Sequence, residues 1–346
     1  MSNFINYSFL FLLSFIATSF LTWLLISSLP SFGVVDIPDP RRVHSRITPR
    51  GGGLAIVIVV IIALIAYEYF GAKTLINSIK IVPLLLIIST ISFLDDLISI
   101  PIFVRLIFHI ICSTIAIFLF LSPAVLFHHE LPLYIDFVLS IIGLIVFIIG
   151  LIVFLNIYNF LDGIDGISGA ESIHLSITIL ILCYLKSDII ININFIIMLN
   201  IIILACSIGF LIFNWHPAKI FLGDVGSISL GFLLGLCLLL ISASSVHLFV
   251  ASSIASLYYL ADGGLTILIR LVNKEKIWQP HLKHFFQKAV RNGKSHREVV
   301  SRIIICNILL MVLSIISLYF PLLSIIFAIL VVMVTIINFA HETAQP

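Results

Sequence analysis

The chain reads as long apolar runs separated by short polar segments. The runs fall near residues 4–29, 53–70, 81–94, 104–127, 133–155, 170–185, 191–213, 228–243, 247–269, 300–320 and 322–340, eleven in all, or ten if the short or interrupted ones are merged. A helix needs about 20 apolar residues to cross the hydrocarbon of a bilayer. Backbone in lipid must satisfy its own hydrogen bonds, so runs this continuous predict helices, not the alternating strands of a membrane barrel. Pro321 separates the last two runs and suits a tight reversal. The first run lacks a basic leader and a small-residue cleavage site, so it reads as a retained span. The expectation is an all-α polytopic membrane protein: one membrane-embedded domain over 1–346, a bundle of ten or eleven helices, with one long extramembrane loop at 270–302.

Composition agrees. Hydrophobic residues make up 61% of the chain and charged residues 10%, with a mean hydropathy of +1.27. An ordinary soluble domain carries about 25% charged residues. A soluble enzyme, a disordered chain and a secreted disulfide scaffold are therefore excluded. The net charge of +2 is too small for a nucleic-acid surface. The five cysteines are scattered through apolar runs without a CxxC pair, and read as packing residues. If segments 30–52, 95–105, 155–170, 214–226 and 270–302 share one side, that side holds 15 of the 18 Lys and Arg residues. Such a bias marks the cytoplasmic side. Nearly every unusual polar residue gathers there too.

Four stretches carry candidate chemistry. Asp95-Asp96 ends the third run; neighbours on a helix point about 100° apart, so one carboxylate is free to meet a substrate or metal while the other caps or anchors. Asn156-Ile-Tyr-Asn159-Phe-Leu-Asp162-Gly163-Ile-Asp165-Gly166 places acceptors every three to four positions, predicting one polar stripe on a helix. Amide and carboxylate oxygens suit a hard cation such as Mg²⁺, against the plainer reading of polar glue between helices. Phe221-Leu-Gly-Asp224-Val-Gly-Ser227 opens the eighth run, where a glycine turn at a helix start offers N–H groups to phosphate; Asp224 is equally an ordinary helix cap there. Trp278-Gln-Pro-His281-Leu-Lys283-His284 lies in the long loop. Its two histidines have no third or fourth zinc ligand at useful local spacing, so phosphate contact or a lipid-facing amphipathic segment is the choice left. The first loop, Asp36 to Gly53, adds Arg41, Arg42, His44, Arg46 and Arg50 before a glycine triplet, and Arg105 follows Asp95 by ten residues. His109, His128, His129, His174, His216 and His247 read as packed or interfacial.

These motifs, in this order, resemble the polyprenyl-phosphate N-acetylhexosamine-1-phosphate transferases, the MraY/WecA superfamily of glycosyltransferase family 4, and within it the WbpL-type branch that initiates lipopolysaccharide O-antigen assembly. The resemblance rests on His44–Gly53, Phe93–Asp96, Asn156–Gly166, Asn214–Ser227 and Asp262–Gln287. It implies an enzyme of the bacterial inner membrane with a cytoplasmic active site, in a family whose members can dimerise. In the implied reaction undecaprenyl phosphate attacks the β-phosphorus of a UDP-N-acetylhexosamine and releases UMP, with Mg²⁺ or Mn²⁺ required. By the same resemblance Asp224 binds the metal, assisted by Asn159. Phe221 stacks on uracil and Arg105 contacts the diphosphate. Asp95 and Asp96 lie near the lipid phosphate as base or positioning groups. Asn156, Asp162 and Asp165 complete the catalytic candidates, and His44, Arg50, His281, Lys283 and His284 bind phosphate or sugar. Two departures stand out: Ser99 sits where the family often carries a third Asp or Asn, and the His loop lacks the usual Arg or third His. The rival reading is a multi-span secondary transporter, whose site would lie near the bilayer midplane.

Overall fold

A computed structural model describes residues 2–37, 47–70, 78–121, 133–276, 279 and 281–340. Thirteen α-helices carry these residues: α1 (Ser2–Ser28), α2 (Gly53–Phe70), α3 (Ile81–Ile98), α4 (Ile102–Phe120), α5 (Leu133–Leu161), α6 (Ile167–Leu185), α7 (Ile193–Asn214), α8 (Asp224–Ser242), α9 (Val246–Ala255), α10 (Leu257–Val272), α11 (Phe285–Arg291), α12 (His296–Ile316) and α13 (Pro321–Ala340). The only sheet among the described residues is a two-residue ribbon in which Val35 pairs with Pro49 and Asp36 with Thr48, antiparallel.

Nine of these helices are long and apolar enough to cross a membrane. The run at 247–269 is not one straight span: α9 and α10 are bent by 70° at their junction and make a tenth crossing only as a broken pair. The second run forms a shorter apolar helix, Gly53–Tyr69, and the fourth ends at Phe120, earlier than the apolar run.

Helix α8 is the axis of the bundle. It packs against α5, α3, α2 and α9 and is buried along nearly its whole length. Its composition allows this, because Gly231 and Gly235 let α5 approach: an added Cβ would lie 2.8 Å from Tyr158 Cβ and 2.7 Å from Phe154 Cδ1 respectively. Small residues of this kind are how helices pack closely in lipid, where apolar burial gives no preference for protein over acyl chain. Helices α1, α6 and α7 pack together on one side, and α9, α12 and α13 on another. The outward faces carry exposed Leu, Ile, Val and Phe, as on Phe20, Ile62, Ile145 and Leu330, which is the surface a bilayer solvates. All five cysteines are free and buried. Helix α12 opens with a capping box: Glu298 N–H donates to Ser295 Oγ at 3.2 Å, while Ser295 N–H donates to the Glu298 carboxylate at 2.9 Å. The start of α8 and α4 and the end of α3 and α5 meet at one end of the bundle, and there the polar motifs converge.

Candidate active site

The site begins with two glycines. A Cβ on Gly53 would lie 2.2 Å from Gly226 Cα, and one on Gly226 would lie 2.7 Å from Gly53 Cα, so the starts of α2 and α8 touch backbone to backbone. The segments just before them are zipped: Gly52 N–H donates to Phe221 O at 2.9 Å, Gly53 N–H to Leu222 O at 2.8 Å, and Phe221 N–H to Pro49 O at 2.8 Å. The glycine triplet of the first loop therefore carries Arg50 onto the Phe221–Ser227 motif.

There Arg50 Nη2 lies 2.6 Å from Asp224 Oδ1 and 2.8 Å from Asp96 Oδ1. Arg105 Nη1 reaches Asp224 Oδ2 at 3.0 Å and also pairs with Asp95. Three carboxylates and two guanidiniums thus form one knot. Burial opposes the charge on Arg50, but the Asp224, Asp96 and Asp162 carboxylates more than offset this and hold its pKa above the ordinary value. The two neighbouring aspartates do different work. Asp96 is fully buried and accepts the N–H groups of Asp224 at 3.1 Å and Val225 at 3.2 Å. It caps α8 from another helix, satisfying donors that a helix start leaves open. Asp95 accepts Ile100 N–H at 2.7 Å and holds Arg105.

The stripe expected over 156–166 is only half helical. Helix α5 ends at Leu161 and Asp162–Gly166 form a turn. Gly166 closes it at φ +81°, a left-handed conformation open to glycine. Asn156 and Asn159 stay on the helix; Asn159 Oδ1 accepts from Ser227 Oγ at 2.6 Å, which ties the stripe to the Asp224 motif. Asp162 accepts from Ser168 Oγ at 2.7 Å. Burial raises its pKa to about 7; Asp224 and Asp96 add to the rise, while Ser168 and Arg50 oppose it. Asp165 turns elsewhere. Its Oδ2 lies 2.6 Å from His216 Nδ1 and 3.3 Å from His296 Nδ1, and it accepts Ala218 N–H at 3.1 Å. Burial alone would raise this carboxyl, but those partners outweigh it and hold it below the usual range. Asp165, His216 and His296 are the one group of three such ligand-bearing side chains within 4.8 Å among the described residues. The contacts run among the three and to the backbone, His296 Nδ1 accepting Asp165 N–H at 3.3 Å, so the group locks the turn to the 214–218 segment and to α12. His216, read from sequence as packed or interfacial, and His296, not singled out at all, are both part of it. So is the neighbouring Asn214, whose Nδ2 donates to Ile220 O at 2.9 Å while its Oδ1 accepts Gly166 N–H at 3.0 Å.

The long loop is anchored inside the bundle. Asp262 on α10 is fully buried. Its carboxylate accepts Phe285 N–H at 3.0 Å and Phe286 N–H at 3.2 Å and lies 3.2 Å from His284 Nδ1. Arg270 holds the loop backbone, donating to Lys276 O at 2.6 Å and Gln279 O at 3.2 Å. His284 is thus a buried anchor as well as part of a cavity wall. Lys283, expected to meet phosphate, pairs with Glu275 at the surface. His281 lines the cavity beside His284, with its pKa pushed down to about 4, chiefly by burial and then by His284, Arg270 and Lys283. At neutral pH it is an uncharged hydrogen-bonding group, not a cation. His44, Arg41, Arg42 and Arg46 lie outside the described residues.

Two cavities flank the knot. One, of about 240 Å³, is lined by Arg50, Asp162, Gly163, Asp165, Asn214, Phe221 and His296. The other, of about 480 Å³, is lined by Arg105, His109, Asn156, Asn159, Asp224, His281 and His284, with Leu106, Phe160, Ile228 and Ile267 making an apolar wall. Arg50 lines the first and Asp224 the second, and the two side chains are hydrogen-bonded to each other. Of the expected site residues, Asp95, Asp96, Asp224, Arg50 and Arg105 meet directly. Asn156, Asn159, Asp162, Phe221, His281 and His284 surround them.

Comparison with known proteins gives the family. Residues 78–242 match glycosyl transferase family 4. A probable undecaprenyl-phosphate N-acetylglucosaminyl 1-phosphate transferase of Bacillus subtilis is 30% identical over 277 residues, which cover 77% of this chain and 72% of that protein. A phospho-N-acetylmuramoyl-pentapeptide-transferase of Orientia tsutsugamushi is 30% identical over 176 residues, 47% of each chain. One from Acinetobacter baylyi is 29% identical over 178 residues, 47% of this chain and 45% of its own. The chain thus spans about half the length of these two pentapeptide transferases. With its membrane bundle and its motifs gathered at one end, the chain belongs to glycosyl transferase family 4, the superfamily of polyprenyl-phosphate sugar-1-phosphate transferases.

Proposed function

We propose that the protein transfers N-acetylhexosamine 1-phosphate from a UDP-N-acetylhexosamine to undecaprenyl phosphate, releasing UMP. The reaction takes place at the cytoplasmic face of the bacterial inner membrane, as the initiating step of lipopolysaccharide O-antigen or a related surface polysaccharide. The observation that carries this reading is the pair of cavities meeting at one ion-pair knot. The smaller, polar cavity with Phe221 on its wall suits a nucleotide, its base against the ring. The larger, with an apolar wall, suits a lipid phosphate arriving from the bilayer. The O-antigen assignment rests on the WbpL-type likeness of the sequence motifs.

Phosphoryl transfer asks the protein chiefly for position and charge neutralisation. Arg50 and Arg105 provide two fixed cations between the cavities, and Arg105 is oriented by Asp95. Asp96 fixes the start of α8 and so the place of Asp224. A phosphomonoester has its second pKa near 6, so the acceptor is largely dianionic at neutral pH and needs no strong base. One of its oxygens attacks the β-phosphorus, the bond from that phosphorus to the bridging oxygen breaks, and UMP leaves with the electron pair.

The donor set fits Mg²⁺ or Mn²⁺. Asp224 and Asn159 offer hard oxygen atoms, and both Asp224 oxygens already face cations, the guanidiniums of Arg50 and Arg105. Mg²⁺ is commonly held by one or two carboxylates together with substrate phosphates. Asp224, assisted by Asn159, would hold it, and its contribution when bound is to neutralise charge on the diphosphate.

Purified protein in detergent, supplied with undecaprenyl phosphate, Mg²⁺ and each UDP-N-acetylhexosamine in turn, is expected to release UMP with at least one sugar and to stop on adding EDTA. Folded protein that releases UMP with none would overturn the reading, and solute uptake into proteoliposomes would then test a transporter. A transporter site lies near the midplane with access from both sides. Here the motifs gather where α3 and α5 end and α4 and α8 begin.

A further inference from the structure

His109 sits on α4 one helical turn beyond Arg105 and is 3% exposed. Neither ring nitrogen has a hydrogen-bond partner of good geometry. Asn156 interacts with the ring; its Nδ2 is spent on Ile152 O at 2.7 Å, so its Oδ1 serves one ring nitrogen at most and the other is left open. A buried imidazole with a nitrogen left open is costly, and such groups are rare unless something absent from the protein completes them. His109 lines the larger cavity with Arg105, Asn156 and Asp224. The cavity therefore contains the missing partner's place.

Its position says which partner. His109 lies seven residues into α4 and Asn156 five residues before the end of α5. At a rise of about 1.5 Å per residue, these groups stand roughly 8–10 Å inside the helix ends. Around them the wall is Leu106, Phe160, Ile228 and Ile267. A polar group at this depth, one turn past an arginine and beside an apolar wall, faces the junction of a phosphate with a hydrocarbon chain. The nucleotide cavity, on the other side of the Arg50–Asp224 contact, is not lined by His109.

We propose that His109 is a lipid-phosphate-binding residue: its ring N–H donates a hydrogen bond to the phosphate of the polyprenyl phosphate acceptor at the bilayer end of the larger cavity. The proposal rests on the transferase reading above and adds to it the contact that distinguishes acceptor from donor. Arg105 supplies charge and His109 supplies direction, so the phosphate is held from two successive turns of one helix.

The test compares His109→Leu and His109→Gln with wild type in two assays. In the transfer assay, His109→Leu is expected to raise the KM for undecaprenyl phosphate about tenfold or more, the scale of a lost hydrogen bond to a charged group. The KM for the UDP-sugar stays unchanged, and His109→Gln, which keeps a donor, recovers most of the loss. The melting temperature of His109→Leu is expected not to fall, because an unsatisfied polar group is replaced by an apolar one; a histidine with only a structural role would lose stability instead. In native mass spectrometry, wild type is expected to retain undecaprenyl phosphate better than His109→Leu, with undecaprenol retained equally by both. This second assay needs no turnover, so it decides the proposal even if wild type transfers nothing and the transferase reading fails. An unchanged KM for the lipid, equal changes in both KM values, or equal retention of undecaprenyl phosphate by both proteins would overturn the assignment.

Discussion

The contact between Gly53 and Gly226 makes a quantitative test of how the site is built. In Gly53→Ala the new Cβ would lie 2.2 Å from Gly226 Cα and 2.4 Å from Gly226 N, both backbone atoms with no rotamer to escape into. Carbon atoms rest at about 3.5–4.0 Å, so the starts of α2 and α8 must part by at least about 1.3 Å. Arg50 precedes Gly53 by three residues and Asp224 precedes Gly226 by two, and their 2.6 Å contact spans the same seam. Opening the seam by that amount carries the pair to about 4 Å, beyond hydrogen-bond reach. A misplacement of about 1 Å at a reacting centre costs about 100-fold in rate, and overpacking costs about 1–3 kcal/mol of stability. The expected result is a kcat lower by about two orders of magnitude in a protein that still inserts and purifies. Two other glycines calibrate it. Gly52→Ala meets only the side chains of Phe210 and Ile220, at 2.7 Å and 3.1 Å, which are able to swing away, so its loss is smaller. Gly264→Ala meets nothing within 4 Å and is expected to be neutral. The assay is UMP release at saturating substrates beside a thermal melt of each variant. Gly53→Ala with kcat within about threefold of wild type would refute the claim that this seam sets the distance between Arg50 and Asp224.

Asp162 gives a pH test. Its carboxyl is raised from 3.8 to about 7 in the folded protein, so below that pH the folded state binds a proton that the unfolded state has released. The associated stability is fully present below the ordinary carboxyl value and is lost as pH climbs through about 7. Melts between about pH 5 and 8 should show this decline, and Asp162→Asn should flatten it. Asp96→Ala removes the acceptor for two N–H groups at the start of α8 and is expected to cost about 1–2 kcal/mol, the scale of a lost helix cap; Asp96→Asn, which keeps an acceptor, should cost clearly less in a denaturation series. Asp224→Asn is expected to abolish metal-dependent UMP release while leaving insertion intact, and turnover near the wild-type rate would remove Asp224 from the metal assignment.

Much of this arrangement was legible in the sequence because lipid is a strict solvent. Helical spans are forced by the backbone, and polar residues among them stand out against Leu and Ile. That is why Asp95, Asp96, Asn159, Asp224 and Arg105 stand out in the sequence. What could not be read was how these groups share their hydrogen bonds. Asp95 and Asp96 are chemically identical neighbours, and only the approach of α8 makes Asp96 a cap. The 156–166 stripe looked helical throughout because its acceptors keep helical spacing, yet the glycines at 163 and 166 end the helix early. His216 and His296 lie 80 residues apart, and nothing local ties either to Asp165. The pairing of Lys283 with Glu275, eight residues away on the same loop, is not announced by the sequence either. Glu171 lies buried within α6, bonded by Asn307 of α12 at 2.7 Å, a pairing no sequence spacing announces.

The anchoring of the long loop has an evolutionary consequence. Asp262 grips the far end of that loop through the N–H groups of Phe285 and Phe286, and Arg270 grips its near part through the carbonyls of Lys276 and Gln279. These are contacts to main chain, which every residue type but proline offers in full. Of the residues between the two grips, His284 also holds Asp262 through its side chain, while His281, Leu282 and Lys283 are exchangeable without disturbing the posts. A lineage is free to rewrite or lengthen this stretch while inheriting the two grips untouched, and a loop transplanted whole between relatives would seat on the same posts.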